Sequence, residues 1–113
     1  MIYLLKMDLE YNKGILFVRL DGKLNRTTTY KINNYLIPIL LKHQIKNLVL
    51  NFYKLEDLDD SGIDAMLNAK YAIKTNKGII YLCEVSKKIS KKVNKLHIKK
   101  TDNELMAFKL IEV

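Results

Sequence analysis

Short apolar runs rich in strand formers alternate along this chain with segments whose apolar residues recur at helical spacing. Residues 2–7 and 14–20 are the first two runs. Tyr11-Asn12-Lys13-Gly14 between them is turn chemistry, which predicts an opening β-hairpin. Asp21-Gly22 ends the second strand. Residues 27–29 then offer caps for a helix with Ile32, Tyr35, Leu36, Ile39 and Leu40 inward, and Pro38 should kink or split it because proline lacks a backbone N–H. Residues 46–52 read as a buried strand. Ile63, Met66, Leu67 and Ile73 mark one face of a second helix, closed by Gly78 at its C-terminal turn. Residues 78–83 form the next strand. Ser86 is placed to cap a basic helix with Ile89 and Val93 inward, and Leu96-His97-Ile98 reads as a last short strand. Thr101-x-x-Glu104 matches a capping box before a terminal helix with Leu105, Phe108 and Ile111 inward. The order ββαβαβαβα predicts an α/β fold: a mixed sheet whose later strands are parallel and joined by about four helices.

The most informative stretch is Leu55-Glu56-Asp57-Leu58-Asp59-Asp60-Ser61-Gly62-Ile63, at the entry to the second helix. Asp59 or Asp60 can cap that helix, and Gly62 is expected to let the backbone turn tightly into its first turn. Ser61 is then a hydroxyl at a helix N-terminus, where open N–H groups and the positive end of the helix dipole suit an added phosphate. On local sequence alone, plain N-capping is the commoner reason for Asp and Ser at such a place.

With 113 residues, 49% of them hydrophobic, the chain has room for one domain, residues 1–113, that needs no disulfide or metal to hold its core. Cys83, the single cysteine, lies in an apolar run and reads as core filler in a reducing compartment. Lys6, Asp8 and Glu10 interrupt any secretory leader, and the longest apolar run, residues 35–41, is too short to span a bilayer. The expected location is the cytoplasm.

A net charge of +8 raises nucleic acid as a partner. Seven of the 20 basic residues, however, are Lys87, Lys88, Lys91, Lys92, Lys95, Lys99 and Lys100, and the other 13 nearly balance 12 acidic ones. The lysine segment carries no arginine or aromatic residue for base readout or stacking, so it reads as a solvated helix face and no specific nucleic-acid partner is expected. Enzyme chemistry fails on inventory. Ser61 lacks a G-x-S-x-G setting, the two histidines have no ligand-spaced companions for a metal, and no phosphate-binding glycine loop is present. No cofactor or catalytic residue is expected.

The run through residues 48–52 to Asp59-Asp60-Ser61-Gly62 resembles the signature of the STAS domain (sulfate transporter and anti-sigma factor antagonist), and the turn Asp21-Gly22-Lys23-Leu24-Asn25-Arg26-Thr27-Thr28 resembles the same family's strand-to-helix turn. The resemblance is closest to stand-alone bacterial anti-sigma-factor antagonists. It implies a binding module whose partner is both anti-sigma factor and serine kinase. Phosphorylation of Ser61 would end the interaction, and a serine phosphatase would reset it. It implies partner contacts at Asn25, Arg26, Thr27, Thr28, Asp59, Asp60, Ser61 and Gly62. The alternative is an accessory STAS subunit of a lipid-transport or membrane-transporter complex, not regulated by phosphorylation. Three positions depart from the family pattern: Asn25 and Asn51 stand where Asp is common, and Asp60 stands where a second Ser or Thr often precedes the phosphoacceptor.

Overall fold

The first two strands run antiparallel as a hairpin, and each later strand is added parallel to its neighbour, giving a five-stranded mixed sheet in the order β1-β2-β3-β4-β5. The computed structural model describes residues 4–111. Its elements are β1 (Leu5–Asn12), β2 (Ile15–Leu24), a π-helical segment (Lys31–Leu36) continuing into α1 (Ile37–Lys42), β3 (Asn47–Leu58), α2 (Asp60–Thr75), β4 (Ile79–Cys83), α3 (Lys87–Val93), a 3₁₀ turn (Asn94–Leu96), β5 (Lys99–Thr101) and α4 (Glu104–Ile111). Ile2 and Tyr3, expected in the first strand, lie outside the described residues.

Alternation along the strands sorts their side chains into two layers. One face of the sheet presents Leu16, Val18, Leu20, Leu48, Leu50, Phe52 and Leu82 to the helices that follow β2, β3 and β4, and this is the main core. The other face carries a smaller cluster, Ile15, Phe17, Val49, Tyr81 and Cys83, closed by Ala107 of α4.

Several local expectations are corrected. β2 does not stop at Asp21-Gly22: the ladder with β3 shifts register there and resumes through Lys23↔Asp57 to Leu24↔Leu58. β3 is correspondingly long, so Leu55, Glu56, Asp57 and Leu58 belong to a strand rather than to a loop. Pro38 does split its helix. The turn before it widens so that the Ile37 N–H reaches back to the Ile32 carbonyl, and Pro38 enters the first turn of α1, where its missing N–H has no partner to lose. That wider turn carries Tyr35 outward, 58% exposed and packed edge-on against Tyr30, while Ile32, Leu36 and Leu40 stay buried.

After α2 the left-handed residue is Lys77, not Gly78. Gly78 is needed for space, since a Cβ there would sit 2.0 Å from the Lys46 carbonyl oxygen. Ser86 occupies the cap position of α3 but makes no capping bond. The strand expected at residues 96–98 begins later, at Lys99, because Leu96 closes the 3₁₀ turn and His97 is left-handed. Asn103, not Thr101, caps α4, accepting from the Met106 N–H at 2.9 Å. Leu105 faces out at 60% exposed because Glu104 takes the inward position, with Ala107, Phe108 and Ile111 completing the stripe.

Candidate functional site

Leu24 and Leu58 are paired as the last residues of two parallel strands, so the segments that leave β2 and β3 emerge side by side at one end of the sheet. Backbone sequence then fixes each turn. In the first, Asn25 Oδ1 accepts from the Thr27 N–H at 2.9 Å and from the Thr27 hydroxyl at 2.7 Å. The Thr28 hydroxyl donates to the Lys23 carbonyl at 2.8 Å and accepts from the Asn25 N–H at 2.9 Å. Asn and Thr at these positions supply the hydrogen bonds that a turning backbone lacks.

Asp59 joins this turn to the second one. Its own N–H donates to the Leu24 carbonyl at 3.2 Å. One carboxylate oxygen accepts the Arg26 N–H at 3.2 Å, and the other caps α2 by accepting the Gly62 N–H at 2.9 Å. Asp60, Ser61 and Gly62 thus form the first turn of α2. Helix geometry leaves the N–H groups of Asp60 and Ser61 without an intrahelical acceptor. Ser61 is half-buried and its hydroxyl bonds to no other described residue, whereas Asp60 is exposed.

The expected contact residues divide into two kinds. Asn25, Arg26, Thr27, Asp59, Asp60 and Ser61 reach the surface of this patch to varying degrees. Thr28, 2% exposed, and Gly62 are buried, so both act from beneath as supports. Gly62 is not there to bend the backbone, which is helical. A Cβ at that position would lie 2.6 Å from the Leu24 carbonyl oxygen and 2.6 Å from Leu58 Cδ1, so glycine lets α2 start hard against the end of β2.

Two features of the neighbourhood were not readable from local sequence. Lys92 of α3 pairs with Asp57 at 3.2 Å, which brings the basic helix against the acidic end of β3. The Leu58 N–H and then Lys92 hold the Asp57 carboxyl below the usual carboxylate range. Asn51, grouped with the turn residues by family pattern, instead lies on the α4 face of the sheet and donates to Glu104 at 2.7 Å. Arg19 grips the same carboxylate with two bonds of 2.8 and 2.7 Å. A carboxylate in place of Asn51 would repel Glu104, which gives that departure a structural reason. No group of three or more His, Cys, Asp or Glu side chains among the described residues is arranged to hold a metal ion. No described helix is long and apolar enough to cross a membrane.

The STAS domain family model matches residues 6–106, most of the chain and both turns. The chain belongs to the STAS domain family. This STAS domain is similar to the anti-sigma F factor antagonist of Paenibacillus polymyxa, 26% identical over 113 residues, covering 96% of this chain and 97% of the relative. Its fold matches the unphosphorylated form of the anti-sigma factor antagonist SpoIIAA with a TM-score of 0.78 at 20% identity, over 95% of this chain and 98% of that one. It also matches the phosphorylated form of the Bacillus cell fate determinant SpoIIAA, TM-score 0.76 at 20% identity, over 94% and 99% of the two chains.

Proposed function

We propose that this STAS domain is an anti-sigma-factor antagonist that binds a kinase-type anti-sigma factor through its paired turns and is released when that partner phosphorylates Ser61. A serine phosphatase resets the cycle. The observation that carries this reading is the geometry of Asp59, which locks the turn of Asn25, Arg26 and Thr27 to the helix start that presents Ser61. A partner that packs over one turn therefore meets the other, and the Ser61 hydroxyl lies within that footprint. The similarity to the Paenibacillus polymyxa antagonist supports the class of partner.

Phosphate on Ser61 adds about −1.5 to −2 charges at neutral pH. The open N–H groups of the first turn favour it, by about 0.3–1 kcal/mol when exposed. Asp60, beside it, opposes it. At an interface the balance changes, because one poorly paired buried charge costs several kcal/mol and a hundredfold loss of affinity needs only about 2.7 kcal/mol. Release then requires charge and no large change of shape.

The test incubates the chain with its kinase-type partner and ATP, maps phosphate by mass spectrometry and measures affinity. Phosphate at Ser61 with lost binding is expected. Ser61→Ala should keep binding, Ser61→Asp should weaken it less than phosphate does, and Asp60→Ser should raise phosphorylation. Phosphate elsewhere, or equal affinity for both Ser61 variants, would reduce Ser61 to one more residue of a helix start.

A further inference from the structure

The two edges of the sheet are not alike. β5 closes one side with three residues, two of them the exposed lysines Lys99 and Lys100, a combination that discourages further strand pairing. β1 closes the other with eight residues, no proline, and an unbroken register against β2 from Leu5↔Gly22 to Asn12↔Ile15. The Lys23 N–H donates to the Leu4 carbonyl at 2.7 Å. In an antiparallel ladder that phase turns the backbone groups of even-numbered β1 residues toward β2 and those of odd-numbered ones outward. The Leu5 carbonyl, on the outward side, is held by Lys31 Nζ. The backbone groups of Met7, Leu9 and Tyr11 have no strand beside them among the described residues.

Side chains follow the same alternation. Leu5 and Met7 pack in or against the main core, and the next two residues of that row, Leu9 and Tyr11, are 38% and 63% exposed. Tyr11 borders an apolar hollow of about 430 Å³ shared with Leu16, Ile39, His43 and Ile45. Lys6, Asp8 and Glu10 alternate on the opposite face, all exposed, with Glu10 also accepting from Arg19 Nη1 at 2.9 Å.

We propose that β1 docks against β1 of a second copy of this chain, the two strands pairing antiparallel about a two-fold axis at Asp8. Outward groups then meet outward groups. Met7 exchanges backbone hydrogen bonds with the partner's Leu9, and Leu9 with the partner's Met7. Lys6 faces the partner's Glu10 on both sides of the axis, and Leu9 and Tyr11 are covered by the partner's apolar row. Ladder length and charge together select this register. An axis at Leu9 would set Asp8 against the partner's Glu10 twice, and an axis at Met7, which sets Lys6 against the partner's Asp8, would leave the exposed Tyr11 without a described residue opposite it. The one like-charge contact left is Asp8 against the partner's Asp8. None of the residues proposed to contact an anti-sigma factor is involved, so the two readings are tested separately.

Sedimentation equilibrium of the full chain from micromolar to millimolar concentration reads the proposal. A reversible dimer is expected. Lys6→Glu should raise its dissociation constant about tenfold, since two facing pairs turn repulsive, and Asp8→Asn should lower it about threefold. Leu9→Lys should give a monomer with an unchanged circular dichroism spectrum. The Leu9 amide should gain hydrogen-exchange protection as the dimer fills. Any other pattern overturns the proposal, including a monomer at every concentration or a dimer indifferent to Lys6→Glu and Asp8→Asn.

Discussion

At the acidic turn the Asp59 carboxylate accepts two backbone N–H groups from different segments, and its own N–H donates to the Leu24 carbonyl. Ser61, two residues on, makes no comparable bond. The side chain that stabilises the turn and the one proposed to be phosphorylated are therefore different. Asp59→Ala should lower unfolding free energy by about 0.5–2 kcal/mol, the ordinary worth of a helix cap, while Ser61→Ala should stay within about 0.5 kcal/mol of the parent; urea denaturation of both variants checks the contrast. Gly62→Ala should destabilise by about 1–3 kcal/mol, because the 2.6 Å contact is with the Leu24 carbonyl and backbone cannot step aside. The Asp59 cap was legible because it obeys a local rule. Its bond to Arg26 was not, since it spans 33 residues and no periodicity encodes it.

Among the elements, α2 shows how far spacing alone carries. Ile63, Met66 and Ile73 are buried as their periodicity predicts, but Leu67 is only partly buried and the alanines Ala65, Ala69 and Ala72 fill the rest of the inner face. Alanine is neutral in a hydropathy pattern, so its part in close helix–sheet packing was invisible. Met66→Ala should cost about 2–5 kcal/mol and Leu67→Ala distinctly less, measured as a difference in denaturation midpoint at constant slope. For α4 the surprise was a polar residue at the head of the inward stripe. Arg19 holds the Glu104 carboxyl below the usual carboxylate range, burial opposes this, and Asn51 assists. A carboxyl whose folded-state pKa is depressed adds stability above its unfolded pKa and loses it as pH falls through the folded one. Unfolding free energy should therefore drop on acidification below about pH 4.5, and Glu104→Gln should flatten that slope. An unchanged slope in the variant would show that other carboxylates dominate.

For the whole molecule, element order and sheet polarity were legible because each strand and helix has its own hydrophobic period. Where the basic and acidic segments meet was not, because Asp57 and Lys92 are brought together only by the fold. With Ile89 and Val93 buried, the lysines of α3 line its outer side. Duplex DNA should bind weakly, without sequence preference, and lose affinity steeply between 50 and 200 mM salt, roughly the range over which counterion release acts; tight binding that persists at the upper value would identify a built site instead. The clasp of Arg19 on Glu104 has a further consequence during synthesis. Its two halves are 85 residues apart. A ribosome adding about 5–20 residues per second makes the second half roughly 4–17 s after the first. Over that interval Ile15 and Phe17, later joined by Val49, Tyr81 and Cys83, form an apolar patch with no α4 to cover it. The Cys83 thiol, pushed up to about 12 by burial in the finished protein, is then an ordinary thiol on a nascent chain. The arrival of the last helix is the moment at which that patch is closed.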